Sequence, residues 1–203
     1  MEKIIKKIEK KFGKLPEAYR QWILLGVTSD ERFTLCSVDW IEAASVLDVH
    51  VVQEPEQGLP GIFPIASFYS VCLWCIDNHM GGRVILCPHD EVMAKLYAPS
   101  VVAWAYRMGL EEAANFTDED DIVRGKLVLW AGLIQDSQPE WAAHIVQLAG
   151  LPEQRFEYGT GVISRQEVDE IILKSFGQVY LDGEVEFLLP EEEDDEYSEE
   201  DDD

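Results

Sequence analysis

Two almost wholly apolar runs near the middle of the chain constrain its fold more than any other feature. The runs are Val71 to Ile76 and Arg83 to Cys87, and the segment between them is polar and ends in two glycines. Short apolar runs bounded by turn residues are typical of strands that are buried in a sheet. The sequence therefore predicts two buried strands joined by a glycine-ended turn.

Helical periodicity dominates much of the remaining chain. Ile4, Ile5, Ile8 and Phe12 recur at the spacing of one helix face, and lysines occupy the other face. Proline, serine and capping-box residues mark further helix starts, and glycines mark helix ends. We expect helices over residues 2–12, 16–26, 100–109, 118–134, 139–149 and 164–176. Two β-rich runs predict strands at 33–38 and 46–52, with a short helix at 39–44 between them.

The C-terminal end of the chain combines a hairpin signal with an acidic run. Asp182-Gly183 separates two short apolar segments, 179–181 and 185–188, and Asp-Gly in such a setting predicts a β-hairpin. Residues 191–203 contain eleven acids and no base. Because this run has no apolar surface to bury and its carboxylates repel one another, we expect it to be disordered.

The charge of the chain is large and unevenly distributed. With 16 Lys+Arg and 40 Asp+Glu the formal net charge is −24. Residues 1–14 carry +4 and residues 191–203 carry −11, which leaves −17 for residues 15–190. Binding to nucleic acid or to anionic membranes relies on Lys and Arg that replace counterions. The composition therefore argues against direct nucleic-acid binding and against membrane binding.

The chain shows no targeting signal. The lysine-rich N-terminus lacks the apolar stretch and the cleavage site of a secretory signal. The longest uncharged stretch, residues 58–76, is interrupted by prolines and glycines and does not resemble a membrane span. Four cysteines in such a chain indicate reduced thiols. These observations favour the cytoplasm.

The cysteines are the strongest candidates for chemistry in the sequence. A tetrahedral zinc site could be formed by Cys72, Cys75, Cys87 and His89. However, residues three apart on a strand point to opposite faces of the sheet, so Cys72 and Cys75 are poorly placed to share one metal ion. Buried structural thiols are the favoured interpretation, with weak zinc ligands and redox chemistry as alternatives.

Signatures of catalysis are missing from the sequence. It contains no His-Glu-x-x-His helix, no phosphate-binding Gly-Lys-Ser/Thr loop and no Gly-x-Ser-x-Gly elbow. The polar residues from Asp77 to His89 could serve a small-molecule enzyme of unknown type, although a solvated turn explains most of them. We therefore predict a protein that is not an enzyme, with no cofactor.

Leu-Pro-Glu-Ala-Tyr-Arg-Gln-Trp-Ile at residues 15–23 is followed in order by short motifs at 62–66, 72–77, 82–84 and 99–104. This ordered set resembles the motifs of the SUKH superfamily, which comprises bacterial toxin-immunity proteins and relatives of a yeast cell-wall regulator. The segment 15–23, Leu-Pro-Glu-Ala-Tyr-Arg-Gln-Trp-Ile, resembles the opening Leu-Pro-x-x-Tyr-x-x-aromatic helix of that family. Later segments resemble its Pro-Ile-Ala entry, its main strands and its Ser-Phe-x-x-Phe helix: residues 62–66, 72–77, 82–84 and 99–104. The resemblance covers about residues 8–110.

The resemblance implies an α+β domain with a mainly antiparallel sheet flanked by helices, over residues 1–112. A helical extension with a hairpin would follow over 117–190, and the acidic tail over 191–203. The implied function is an immunity protein that blocks the active site of a toxin. The charge favours a basic, nuclease-type partner, because an acidic inhibitor can imitate a polyanion.

Acidic residues beside the sheet and its loops are the candidate contacts for such a partner, with one tryptophan as a possible anchor: Asp39, Trp40, Glu42, Asp77, Asp90 and Glu91. Solvated surface for the acids, and core packing for the tryptophan, remain as alternatives. A cytosolic scaffold or regulatory interaction module is the alternative function.

Overall fold

The described residues form seven α-helices. A computed structural model describes residues 1–35, 38–49, 51, 61–68, 71–88, 91–116, 120–157 and 159–187. The helices are α1 Glu2–Phe12, α2 Glu17–Leu24, α3 Val101–Ala114, α4 Asp120–Ile134, α5 Pro139–Ala149, α6 Arg165–Phe176 and α7 Val179–Asp182. The six predicted helices are confirmed, with ends that differ by a few residues. None of the helices in this described part is long and apolar enough to cross a membrane.

A six-stranded antiparallel sheet forms the centre of the fold. Its strands lie in the order β1-β2-β3-β4-β5-β8, and every neighbouring pair is antiparallel. They span Val38–Trp40, Ile62–Phe68, Cys72–Asp77, Arg83–Pro88, Met93–Ala98 and Glu184–Glu186. A separate two-stranded ladder joins β6 Gln154–Phe156 to β7 Gly159–Gly161. The predicted α+β class and the two apolar central strands, now β3 and β4, are confirmed.

The prediction for the segment that precedes β2 was wrong. A 3₁₀ turn occupies Glu31–Phe33, β1 begins at Val38, and residues 43–48 form turns where a helix and a strand were expected. Asp39 pairs with Ser67 on β2, so this part of the chain is a short strand at the sheet edge. Pairing with β2 therefore outweighs local propensity here.

The predicted C-terminal hairpin was also wrong. Residues 179–182 form α7, and the strand that follows, β8, pairs with β5 of the main sheet. Gly183 has φ −76°, whereas the expected hairpin turn needs positive φ at its central residues. A Cβ atom at Gly183 would clash with the carbonyl oxygen of Val179. The glycine is thus required by close packing at the end of α7.

The two faces of the sheet bury different apolar clusters. Alternate residues of β3, Trp74 and Ile76, join the large core beneath α1–α6. Cys75 and its neighbours on the other strands form a smaller cluster on the opposite face: Ile62, Ile85, Cys87, Ala94, Leu96 and Phe187. Alternation along β3 and β4 assigns these residues to their faces.

Five tryptophans lie in contact at the centre of the large core. Trp40 of β1 is 5.3 Å from Trp104 of α3 and 5.8 Å from Trp130 of α4, measured between ring centroids. Trp22 of α2 contacts Trp40, and Trp74 of β3 contacts Trp104. The indole nitrogens of Trp40 and Trp130 both donate to the backbone carbonyl of Phe33, at 2.9 and 3.0 Å.

Arg107 ties α7 to the sheet from a buried position on α3. Its guanidinium donates to the backbone carbonyls of Tyr97 and Tyr180, at 2.9 and 2.6 Å, and lies over the Tyr97 ring. Glu111 accepts a third hydrogen bond from it. Both parts of the chain therefore pack on one sheet. The division between residues 1–112 and 117–190 stays a prediction, and the acidic tail lies outside the described residues.

We expect replacement of Trp130 by alanine to lower the free energy of unfolding by about 3–5 kcal/mol, because it leaves a cavity among the tryptophans. Val128→Ala, on the exposed side of the same helix, should stay within about 0.5 kcal/mol. Urea unfolding, followed by fluorescence and by circular dichroism, measures both values. Similar losses for the two variants would contradict this packing.

A histidine and a tyrosine form a hydrogen-bonded pair between α5 and α3. The Tyr106 hydroxyl lies 2.7 Å from Nδ1 of His144, and the Tyr106 ring stacks on Trp141. Burial lowers the pKa of His144 below its usual value and raises the pKa of Tyr106 to about 12. Burial disfavours the charged form of an imidazole. The folded state therefore favours the neutral imidazole.

The lowered pKa of His144 predicts a loss of stability in acid. The contribution of His144 to the free energy of unfolding is fully present above about pH 6.5, the pKa of histidine in the unfolded chain. This contribution is lost as the pH falls below that value toward the lower pKa of His144 in the folded state. Between about pH 7.5 and 5, wild type should lose more unfolding free energy than His144→Gln. Tyr106→Phe should cost about 1 kcal/mol and keep the pH dependence, because burial of His144 remains. Equal pH slopes for wild type and His144→Gln would exclude His144 as the cause.

Candidate protein-binding site

A small acidic cavity lies at the edge of the main sheet, beside β1. It has a volume of about 230 Å³ and is lined by residues of two 3₁₀ turns, of β1 and of the segment after β1: Thr28, Ser29, Asp30, Glu31, Thr34, Asp39, Trp40 and Glu42. β1 is the first strand of the sheet, and no strand within the described ranges pairs with its outer side. The cavity is therefore open at an edge that a partner can approach.

The chain reaches this edge through a sharp change of direction after α2. Gly26 adopts φ 77°, a left-handed conformation that glycine tolerates best, and the 3₁₀ turns Val27–Ser29 and Glu31–Phe33 follow it. The Asp30 side chain caps the second turn by accepting a hydrogen bond from the backbone nitrogen of Arg32, at 3.1 Å. These turns place Asp30 and Glu31 beside β1.

Four carboxylates line this cavity, and we call Asp30, Glu31, Asp39 and Glu42 the acidic edge. Asp30 is already neutralised, because the Arg32 guanidinium contacts both of its oxygens, at 2.6 to 3.1 Å. Side-chain and backbone hydrogen bonds from Arg32 lower the pKa of Asp30. The other three carboxylates are exposed, and they form no ion pair within the described part of the chain. The acidic edge thus presents uncompensated negative charge.

Trp40 forms the apolar floor of the cavity. Its ring is partly buried against Trp22, Trp104 and Trp130, and its nitrogen is engaged by the Phe33 carbonyl. Most of the indole therefore serves the core. Only the exposed edge of the Trp40 ring, which lies between the acidic side chains, can contact a binding partner.

Asp77 lies elsewhere and has structural partners. It ends β3 with only 4% of its surface exposed, and its Oδ2 accepts a hydrogen bond from Nε of Arg83 at 2.9 Å. Its Oδ1 caps the following 3₁₀ turn by accepting from the backbone nitrogen of His79. Asp77 therefore belongs to the β3–β4 turn, and we leave it out of the proposed surface.

The last two predicted contacts also lie apart from the cavity. Glu91 is exposed in the β4–β5 connection, and β4 is three strands from β1, a distance of about 14 Å across the sheet. Asp90 lies outside the described residues. The structure thus brings together Asp39, Trp40 and Glu42 and separates them from Asp77 and Glu91.

The three described cysteines are distributed over both faces of the sheet. Cys75 and Cys87 are buried in the smaller apolar cluster, where burial and the neighbouring Cys87 thiol raise the pKa of Cys75. Cys72, three residues before Cys75, takes the opposite side of β3, and His89 lies outside the described residues. The described residues contain no group of three His, Cys, Asp or Glu side chains that could hold a metal ion.

A larger cavity, of about 620 Å³, lies between the end of α3, the β6–β7 ladder and the start of α6. Its one guanidinium, that of Arg165, lies 3.4 Å from Glu111 and 3.6 Å from Asp169. The charged side chains that line this cavity are thus largely paired with one another. We therefore favour the acidic edge as the candidate site.

Two of the four acidic-edge residues, Asp30 and Glu31, were not predicted from the sequence. Asp30 and Glu31 follow Thr28-Ser29, a polar run after the glycine that ends α2, and such a run indicates a loop. The polar run therefore predicts that Asp30 and Glu31 lie on the surface. It does not show that the segment folds back beside β1, because this contact depends on packing against the tryptophans.

The comparisons with known proteins concern mainly the N-terminal half of the chain. The model of the SMI1 / KNR4 family (SUKH-1) matches residues 2–107, just over half of the 203 residues. The predicted resemblance is thereby confirmed. No curated protein and no solved structure matches the chain. The motif residues Leu15, Tyr19 and Trp22 are buried, so this part of the resemblance reflects core packing.

The different environments of two aspartates yield a matched test. Asp77→Asn should cost about 3–5 kcal/mol of unfolding free energy, because it leaves the largely buried guanidinium of Arg83 without a charged partner. Asp39→Asn, on an exposed side chain, should stay within about 0.5 kcal/mol. Urea titration at neutral pH measures both. Equally small effects of the two variants would show that the ion pair of Asp77 with Arg83 does not stabilise the fold.

Proposed function

Because the chain belongs to the SMI1 / KNR4 family (SUKH-1), we propose that it is an immunity protein that binds a basic, nuclease-type toxin and occludes its active site. Family membership is consistent with an immunity protein or with an interaction module. The proposed contact surface is the acidic edge, with Asp39 and Glu42 as its central residues. The partner is a protein, and the chain acts by binding, without a cofactor and without catalysis.

The observation that carries this proposal is the uncompensated charge of the acidic edge. Three exposed carboxylates, those of Glu31, Asp39 and Glu42, line one concave surface beside β1, the edge strand of the described sheet. An enzyme that cuts nucleic acid holds phosphates with basic side chains. Carboxylates that occupy the phosphate positions would both attract such a site and exclude its substrate.

The strength of the charge favours fast association. Clustered charge of one sign raises association rates by about 10- to 1000-fold and makes them sensitive to salt. An immunity protein benefits from this, because it must reach the toxin before the substrate does. The acidic body thus supports rapid capture, and the exposed edge of Trp40 offers an apolar contact within it. This role also places the protein in the cytoplasm of a toxin-producing bacterium.

The alternative function is a scaffold or regulatory interaction module. It is favoured by the helices and the 620 Å³ cavity that lie beyond the family match, at residues 108–187. An interaction module would bind its partner through these elements and would not protect cells from a toxin. Protection of cells therefore separates the two functions.

The test begins with the genes beside that of this chain, one of which the proposal expects to encode a toxin-like domain. Co-expression of the chain should restore growth to cells that produce this domain. Asp39→Lys/Glu42→Lys should slow association with the purified domain by at least about 10-fold, because steering charge is reversed. Stopped-flow fluorescence at low and at physiological salt measures the rate.

A matched control carries the same change of charge at exposed acids away from β1. Glu184→Lys/Glu186→Lys, on β8 at the opposite edge of the sheet, should slow association much less than the acidic-edge variant. Equal slowing by both variants would show that only net charge matters, and salt-independent binding would indicate an apolar interface. Failure of the wild-type chain to protect cells would exclude the immunity function.

A further inference from the structure

The exposed face of α1 carries a stripe of lysines in an otherwise acidic protein. Lys3, Lys6, Lys7 and Lys10 follow the i, i+3, i+4, i+7 spacing, so they lie on one face within about 10 Å along the helix. All four are exposed, and the opposite face buries Ile5 and Ile8. We call these four residues the lysine face.

The described residues do not neutralise the lysine face. Glu2, at the start of α1, is engaged by Arg20 at 2.9 Å, and Lys11, beside the stripe, donates to the carbonyl of Leu47. None of the four lysines forms an ion pair with any residue that the structure describes. Like charges one turn apart on a helix repel one another. A bound anionic segment would relieve that repulsion.

We propose that the C-terminal segment, residues 191–203, docks on the lysine face of α1 within the same molecule. This segment carries eleven carboxylates and no basic residue, so its charge is opposite to that of the stripe. It thereby shields the lysines from nucleic acid and from anionic lipid, the ligands that such a surface attracts. The acidic tail then covers the strongly basic surface of α1 within the same molecule.

The tail is long enough to reach the lysine face. The described chain ends at Phe187, whose backbone nitrogen donates to the Val92 carbonyl just before β5. The end of α1 lies at the far end of β3, where the Asn78 side chain donates to the Phe12 carbonyl. Two strand spacings and one strand length separate these points in the plane of the sheet, roughly 20–25 Å. Because Phe187 and α1 lie on opposite faces of the sheet, the path is longer by at least a helix diameter of about 10–12 Å. Sixteen residues follow Phe187, and an extended chain of that length spans about 50 Å.

Attachment to the same chain favours the tail over a separate polyanion. A flexible connection holds a segment near its site at an effective concentration on the order of millimolar. Weak ion pairs therefore suffice for docking, and the complex responds to salt because exposed pairs are screened. A separate polyanion must displace the tail before it reaches the lysines.

Nuclear magnetic resonance of the full chain tests this docking. Lys6→Gln/Lys10→Gln should move the tail amide shifts most of the way toward those of a synthetic peptide of residues 191–203. Lys95→Gln/Lys174→Gln removes the same charge from exposed lysines outside α1 and should leave the tail shifts in place. Raising sodium chloride to about 1 M, where the screening length is about 3 Å, should reproduce the effect of the α1 variant.

Four results would overturn the proposal. Wild-type tail shifts equal to those of the free peptide would show that the tail is not docked, and equal effects of the two double variants would show that net charge alone acts. Shifts in the labelled chain that depend on added unlabelled chain would place the tail on a second copy. Binding of wild type to phosphatidylserine vesicles or to a DNA duplex at physiological salt would show that the lysine face is open. None of these measurements needs the toxin, so their outcome is independent of the proposed function.

Discussion

The backbone carbonyl of Phe33 accepts hydrogen bonds from two indoles that belong to distant parts of the chain. Trp40 comes from β1 and Trp130 from α4, and their rings stack with an interplanar angle of 27°. A carbonyl oxygen has two lone pairs, so both acceptor sites are used. This arrangement fixes the sheet edge against a helix that lies outside the family match. The acidic edge depends on it, because Asp39 and Glu42 flank Trp40.

The tryptophan cluster tolerates unsatisfied polar groups because it buries so much apolar surface. The indole nitrogens of Trp74 and Trp104 have no hydrogen-bond partner among the described residues. Each such group costs about 1–3 kcal/mol. Burial of 150–250 Å² per tryptophan, at about 25 cal/mol per Å², contributes roughly 4–6 kcal/mol. The balance favours burial, which explains why the cluster can hold α2, α3, α4 and two strands together.

Features that are local in sequence were predicted well, and features set by distant contacts were not. The capping box of Ser164 and Glu167 predicted the start of α6, since its hydrogen bonds lie within four residues. The edge strand β1 and the pairing of β8 with β5 depend on partners far away in the chain. Asp182-Gly183 was misleading for this reason, because its glycine serves close packing and not a turn. Likewise, Asp39 and Glu42 were predicted as contacts, but their assembly with Glu31 was not.

Net charge alone would have placed the binding surface anywhere on this molecule. Asp77 is paired with Arg83, and Asp30 is paired with Arg32. Such carboxylates add to the count of acidic residues, but their charge is already neutralised within the chain and is not available to a binding protein. The same reasoning applies to the lysine face of α1. Glu2 forms its ion pair with Arg20 and therefore does not neutralise these lysines. What a charged protein can bind is therefore decided by the charges that its own fold leaves uncompensated. In the described part of this chain, the acidic edge and the lysine face both carry such charges, and each attracts a ligand of the opposite sign.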